Sequence, residues 1–134
     1  MTRDNTPPVR FAAGNCAIEI ARVGPNRLLV TLQGRDSGAL GDAPFRTLED
    51  MTKDGPGVDL FIDLEHAEGA TLDVSGSWAV WMRRNRDRFN SVNMLTGTAF
   101  VQLSAQAVKR FSELGERAKI YSSRRDFDEA LAAR

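Results

Sequence analysis

The 134-residue sequence is long enough for one domain that buries roughly two thirds of its unfolded surface, and its 42% hydrophobic and 27% charged residues are ordinary for a globular chain. Eighteen Lys and Arg cancel eighteen Asp and Glu, which counts against a general nucleic-acid binder. No apolar run approaches the ~18 residues of a membrane span, and the single cysteine, Cys16, excludes an internal disulfide and gives no metal-ligand pattern.

Charge is unevenly spread. Residues 1–75 hold seven Lys/Arg against twelve Asp/Glu, and residues 76–134 hold eleven against six, so the two parts carry −5 and +5. Solvated faces that pair with each other, or a dipolar surface that steers a charged partner, both account for this.

The opening residues Met1–Pro8 have no apolar core of the secretory kind, so a cytoplasmic location is expected. Residues 1–12 are expected to be a disordered lead-in and 13–134 a single domain. Cys16 to Val23 alternates as a strand, Gly24-Pro25-Asn26 turns, and Arg27 to Gln33 returns, which makes a hairpin. From Ala43 to Lys53, Phe45, Leu48 and Met51 share a helical face, and Asp54-Gly55-Pro56-Gly57 stops that helix. Val58 to Leu64 is an apolar run that suits a central strand covered on both sides. The loop from Glu65 to Thr71 follows. A helix is then expected from Gly76 to Phe89, with Trp78, Trp81, Met82 and Phe89 inward. Phe100 to Leu103 reads as a short strand, Ala105 to Leu114 as a helix, Lys119 to Tyr121 as a strand, and Arg125 to Ala133 as a closing helix. The resulting order, β-β-α-β-α-β-α-β-α, implies an α/β fold: a mixed, largely parallel sheet of four to five strands with about four helices.

The segment with most chemical content is Leu72-Asp73-Val74-Ser75-Gly76, where strand and loop hand over to a helix. Ser75 there has a structural role open to it as a helix cap, for which Ser77 and Asp73 compete. It has no Gly-x-Ser-x-Gly elbow, and His66, the only histidine, lies nine residues upstream beside Glu65 and Glu68. Neither a Ser-His catalytic pair nor a metal site is expected from that arrangement. Trp78 and Trp81 are read first as core residues, with an apolar pocket or a protein interface as the other use. Among Arg83, Arg84, Arg86 and Arg88, the pair four apart, Arg84 and Arg88, is expected to share an exposed face that steers an acidic partner.

Asp73-Val74-Ser75-Gly76 at a strand–loop–helix joint resembles the Asp-Ser-Ser-Gly-Leu motif of STAS domains, the family of sulphate-transporter tails and anti-sigma factor antagonists. Leu32-Gln33-Gly34 is similar to that family's Leu-x-Gly, Asp63-Leu64 to the end of its motif strand, and Phe127-Asp128-Glu129-Ala130-Leu131 to its final helix. The likeness spans about residues 16 to 132. The chain departs from the pattern at Arg35-Asp36-Ser37 after Gly34 and at Ser77 after Gly76. The resemblance implies a STAS-like fold and a signalling module with no enzymatic activity and no cofactor of its own. It implies an anti-sigma factor or serine kinase-like partner and phosphorylation at Ser75. Asp73, Gly76, Ser77, Gly34, Asp36 and Ser37 would form the partner-binding surface. A homodimer is compatible with this reading. A non-phosphorylated STAS-like scaffold, or a carrier of an apolar ligand, is the alternative.

Overall fold

Inward side chains at every second position build the first part of the sheet. The computed structural model describes residues 7–53, 55 and 57–133. In β2 (Cys16–Gly24), Cys16, Ile18 and Ile20 are buried, and in β3 (Arg27–Asp36) so are Leu28, Val30 and Leu32. They pair antiparallel, and an extra strand, β1 (Val9–Ala13), pairs antiparallel with β2 through Val9↔Ile20 and Phe11↔Ile18. β1 falls inside the stretch read as lead-in: Val9, Phe11 and Ala13 continue the inward alternation despite Pro7-Pro8, while residues 1–6 lie outside the described residues.

After α1 (Ala43–Thr52) the chain enters β4 (Val58–Leu64), parallel to β3 on one side and to β6 (Phe89–Thr96) on the other. The expected stop signal between them is only partly visible, since Asp54 and Pro56 lie outside the described residues. β4 is thus central, as expected. Val58, Leu60 and Ile62 belong to the main core with α1, α2 (Leu72–Arg84) and α3 (Ala99–Ser112), while Phe61 packs with Leu95 and Phe127 under α4 (Arg124–Ala132). Helices therefore cover both faces of β4. β7 (Ala118–Tyr121) pairs parallel with β6, and the order across the sheet is β1-β2-β3-β4-β6-β7.

A seventh strand, β5 (Ala67–Ala70), extends the sheet where β4 has already ended. β3 and β4 stay paired as far as Thr31↔Asp63, and β5 then takes over as the parallel neighbour of β3 at Gly34↔Ala67 and Asp36↔Ala70. The α/β class, the four helices and the mixed, largely parallel sheet are as expected, with seven strands among the described residues rather than four or five.

Two further elements differ from expectation. Phe100–Leu103 is not a strand but the first turns of α3, because Thr98 Oγ1 accepts the Val101 N–H at 3.1 Å and caps a helix there. The missing strand is β6, and Phe89, expected on a helix, is its first residue. α2 stops at Arg84, where both the Asn85 backbone N–H (3.0 Å) and its side-chain Nδ2 (2.8 Å) donate to Trp81 O. A 3-10 turn, Arg86–Arg88, leads into the strand. β6 escapes detection because Ser91 and Asn93 interrupt its apolar pattern. Asn93 is buried and Ser91 half-buried, and both are tolerated because they are bonded: Ser91 Oγ donates to Asp59 Oδ1 at 2.7 Å, Asn93 Nδ2 to Leu60 O at 3.3 Å, and Tyr121 OH to Asn93 Oδ1 at 3.2 Å.

Candidate functional site

The overhang of β3 past β4 determines where α2 begins. Thr71 N–H donates to Asp36 O at 3.0 Å, which ties the last residue before α2 to the last residue of β3. Thr71 is the N-cap: its Oγ1 accepts the Val74 N–H at 3.3 Å, and its carbonyl accepts the Ser75 N–H at 2.9 Å. The expected competitors for capping, Ser75, Ser77 and Asp73, all lie inside the helix. The available signal was a threonine two residues ahead of a first-turn aspartate. α2 accordingly starts at Leu72 rather than Gly76, α3 at Ala99 rather than Ala105, and α4 at Arg124 rather than Arg125.

At the carboxyl end of β3, Asp36 is buried, and its Oδ1 accepts the Gly38 N–H at 3.0 Å in a side-chain-closed turn. That turn carries Ser37 to the surface and leads to Asp42 and Pro44 at the start of α1. Together with Thr71, Asp73, Val74 and Ser77 of the α2 entrance, these residues line an open cleft of about 440 Å³, floored by Phe45 and Trp78. Asp36, Ser37, Asp73 and Ser77, four of the six residues expected on one surface, are thereby brought to one place. Ser77 Oγ donates to Asp73 O at 2.9 Å. Three aspartates, Asp36, Asp42 and Asp73, give the cleft an acidic character.

The other predicted site residues lie elsewhere. Gly34 is buried in the sheet, with φ of +77° and its N–H donating to His66 O at 3.2 Å. A Cβ there would collide with the Asn15 carbonyl oxygen, so Gly34 permits the β1–β2 turn to cross β3 and is no surface contact. Gly76 faces the outer groove of α2 with Leu72, Val80 and Arg84. Ser75 is half-buried and turned away from the cleft: with Ser104 of α3 it edges a narrow, otherwise apolar cavity of about 70 Å³, walled by Leu32, Ile62, Trp78, Met94 and Val101 among others.

Arg84 and Arg88 do not share a face. Arg84 is exposed on α2, whereas Arg88 follows in the 3-10 turn and is half-buried. Its Nη1 donates to Glu49 O (3.2 Å) and to Thr52 Oγ1 (3.1 Å) at the carboxyl end of α1. Arg88 is therefore a structural tie, with its cation at the negative end of the α1 dipole. Trp81 is core: it is buried, stacks on Phe45 at 5.4 Å, and its Nε1 donates to Glu49 Oε1 at 2.9 Å. Trp78 is half-buried and separates the cleft from the apolar cavity, lining both. His66 is exposed, 3.3 Å from Glu65 Oε1, and lines neither.

No family model and no curated protein matches the chain. Solved structures do. An uncharacterised protein of the DUF3478 family from Shewanella loihica PV-4, described as having a SpoIIAA-like fold, aligns with a TM-score of 0.65 at 17% identity over 90% of this chain and 98% of its own. An anti-sigma factor antagonist from Mycobacterium paratuberculosis aligns with a TM-score of 0.62 at 12% identity over 92% of this chain and all of its own. At those identities the likeness is one of fold: this chain has the SpoIIAA-like, STAS-like α/β fold.

Proposed function

We propose that the chain is a protein-binding signalling module, comparable in use to an anti-sigma factor antagonist and without enzymatic activity. Its partner, an anti-sigma factor or serine kinase-like protein, docks at the cleft between the β3–α1 turn and the entrance to α2. One observation carries this reading: residues from two segments far apart in the chain, Asp36 to Asp42 and Thr71 to Ser77, converge on one open, acidic depression. Among the polar groups there, Asp36 closes a turn, Thr71 caps α2, Ser77 donates to the Asp73 carbonyl and Asp42 pairs with Arg46. Such a site presents a shaped surface, and its carboxylates favour a partner with a basic patch.

Ser75 is the regulated position in this reading. It stands in the first turn of α2, where the positive end of the helix favours a phosphate. Because its side chain borders the apolar cavity, a group of about −1.5 to −2 charges cannot stay against those walls. It has to turn outward past Ser104, parting α2 from α3 and reshaping the adjoining cleft. Phosphorylation would then release the partner by moving α2.

The test is intact-mass analysis of wild type and Ser75→Ala after incubation with an anti-sigma-type serine kinase and ATP, alongside binding of that kinase by wild type and Ser75→Asp. One phosphate on wild type only, with binding lost in Ser75→Asp, supports the switch. Unmodified wild type and undiminished binding by Ser75→Asp refute it.

A second reading rests on the cavity itself. Its apolar walls and position between two helices suit a slim apolar ligand that widens it by separating α2 from α3. Saturable quenching of Trp78 emission by a spin-labelled fatty acid, relieved by Ala105→Phe, would favour this carrier role.

A further inference from the structure

We propose that the outer face of the α2–α3 layer is the interface of a two-fold dimer of this chain. This surface lies outside the partner cleft except at Asp73, which borders both, and goes beyond the reading above. Six large hydrophobic side chains are exposed among the described residues, and five of them, Leu72, Val80, Phe100, Leu103 and Phe111, belong to these two helices. Leu72 leaves 92%, Leu103 68% and Phe111 63% of its surface open.

The five are grouped by helical geometry. On α3, Val101, Ala105, Val108 and Ser112 face inward. At about 100° per residue, Phe100, Leu103, Ala107 and Phe111 fall in a second stripe roughly 80° wide on the far side. On α2, Leu72, Gly76 and Val80 recur every four residues along the solvent side of the helix, which on its other flank borders the groove toward Phe45 and Glu49 of α1. The helices run side by side in the same direction. Gly69, just before α2, approaches the Phe100 ring at the start of α3, and Arg83 and Arg86 reach Glu113 at its end at 3.7 and 3.5 Å. The result is a flat apolar strip across two helices, of the several hundred Å² at which exposed patches mark interaction surfaces.

Charge selects the occupant. The amino-terminal end of the strip carries the exposed carboxylates Glu68 and Asp73. The carboxy-terminal end carries exposed Arg84 and Arg110, and neither arginine forms an ion pair among the described residues. The strip is therefore a dipole with an apolar middle. Its own antiparallel copy is complementary to it at both ends, and a two-fold axis produces that antiparallel arrangement. Gly76, where a Cβ would meet nothing, lets the two backbones come close. A uniformly anionic lipid surface would match only one end.

The experiment is sedimentation equilibrium on the full chain from micromolar to millimolar concentration. Wild type should populate a dimer that weakens as salt rises. Leu103→Asp and Phe111→Asp, both at exposed positions, should weaken association by at least about 30-fold with unchanged circular dichroism and melting temperature at low concentration. Asp73→Arg should weaken it too, and adding Arg84→Asp with Arg110→Asp should restore it. A wild-type chain that stays monomeric throughout overturns the proposal, including one that instead co-sediments with phosphatidylglycerol vesicles. So does a dimer indifferent to Leu103→Asp. The kinase assay on Ser75 is unaffected by Leu103→Asp, so failure of one proposal is separable from failure of the other.

Discussion

Thr71→Ala and Ser75→Ala, two hydroxyl deletions four residues apart, should have opposite consequences. Thr71 Oγ1 accepts a first-turn N–H of α2, and removing such a cap costs about 1 kcal/mol. For a domain of this size that lowers the melting temperature by roughly 3–6 °C. Ser75 caps nothing, and its N–H is already held by the Thr71 carbonyl at 2.9 Å. Its hydroxyl sits against an apolar wall. Alanine there removes no hydrogen bond of the fold and gains about 0.5 kcal/mol of helix propensity. Ser75→Ala should therefore be neutral or slightly stabilising. The assay is urea unfolding of both variants followed by far-ultraviolet circular dichroism, with equal m-values required for the comparison. A loss of about 1 kcal/mol in Ser75→Ala with none in Thr71→Ala would refute the placement of the α2 entrance and restore Ser75 to the mouth of the helix.

Three further outcomes are expected. Arg88→Met should lower stability by about 1.5–3 kcal/mol, the usual worth of hydrogen bonds from a charged donor, while Arg84→Glu leaves the urea midpoint of the monomer nearly unchanged; equal effects would place both arginines on the surface. Gly34→Ala should cost about 2–4 kcal/mol in the same titration, because φ of +77° and the Asn15 carbonyl both oppose a side chain. Burial, and secondarily the Asp36 carboxylate, push the Cys16 thiol above its ordinary pKa of 9.0. The unfolded thiol therefore ionises first, and stability should fall as pH rises beyond 9.0 toward the folded value, a slope that Cys16→Ala should reduce without abolishing, since Tyr121 is also raised by burial.

The sheet was legible wherever burial follows a simple period. β2 and β3 alternate, and β4 is continuously apolar because helices cover both its faces, so all three are evident from residue types. β6 was hidden because its interior is partly polar: Asn93 is buried yet fully bonded to Leu60, Ser91 and Tyr121, a compensation that depends on partners far along the chain. β5 was hidden because Ala67-Glu68-Gly69-Ala70 has no β-branched residue and forms a strand only by completing the ladder β3 leaves open. The same tertiary cause displaced the site. Without β5, residue types alone put the joint before α2 at Ser75 and leave Thr71 in a loop. Asp36, Ser37, Asp73 and Ser77 nevertheless line one cleft, since each depends only on the β3 end lying beside the α2 entrance.

That dependence also limits how the cleft can be altered. Its two rims share one backbone hydrogen bond, from Thr71 to the Asp36 carbonyl, and the Asp36 side chain closes the turn above it. The rims are thus part of the sheet and cannot move apart without breaking the β3–β5 ladder. α2, by contrast, rests on the sheet through Trp78, Ala79, Trp81 and Met82, and a narrow cavity remains between it and α3. Of the structures around the cleft, the helix is the part with room to shift. A modification or ligand at Ser75 acts at that point, beneath the helix and beside the void, so its effect reaches the cleft through α2. An exposed serine on the β3–α1 turn, such as Ser37, could change only the charge of the rim. The two positions therefore separate the mechanisms: a negative charge at Ser37 should weaken a partner's association in a salt-dependent way, and a negative charge at Ser75 should do so at any salt concentration.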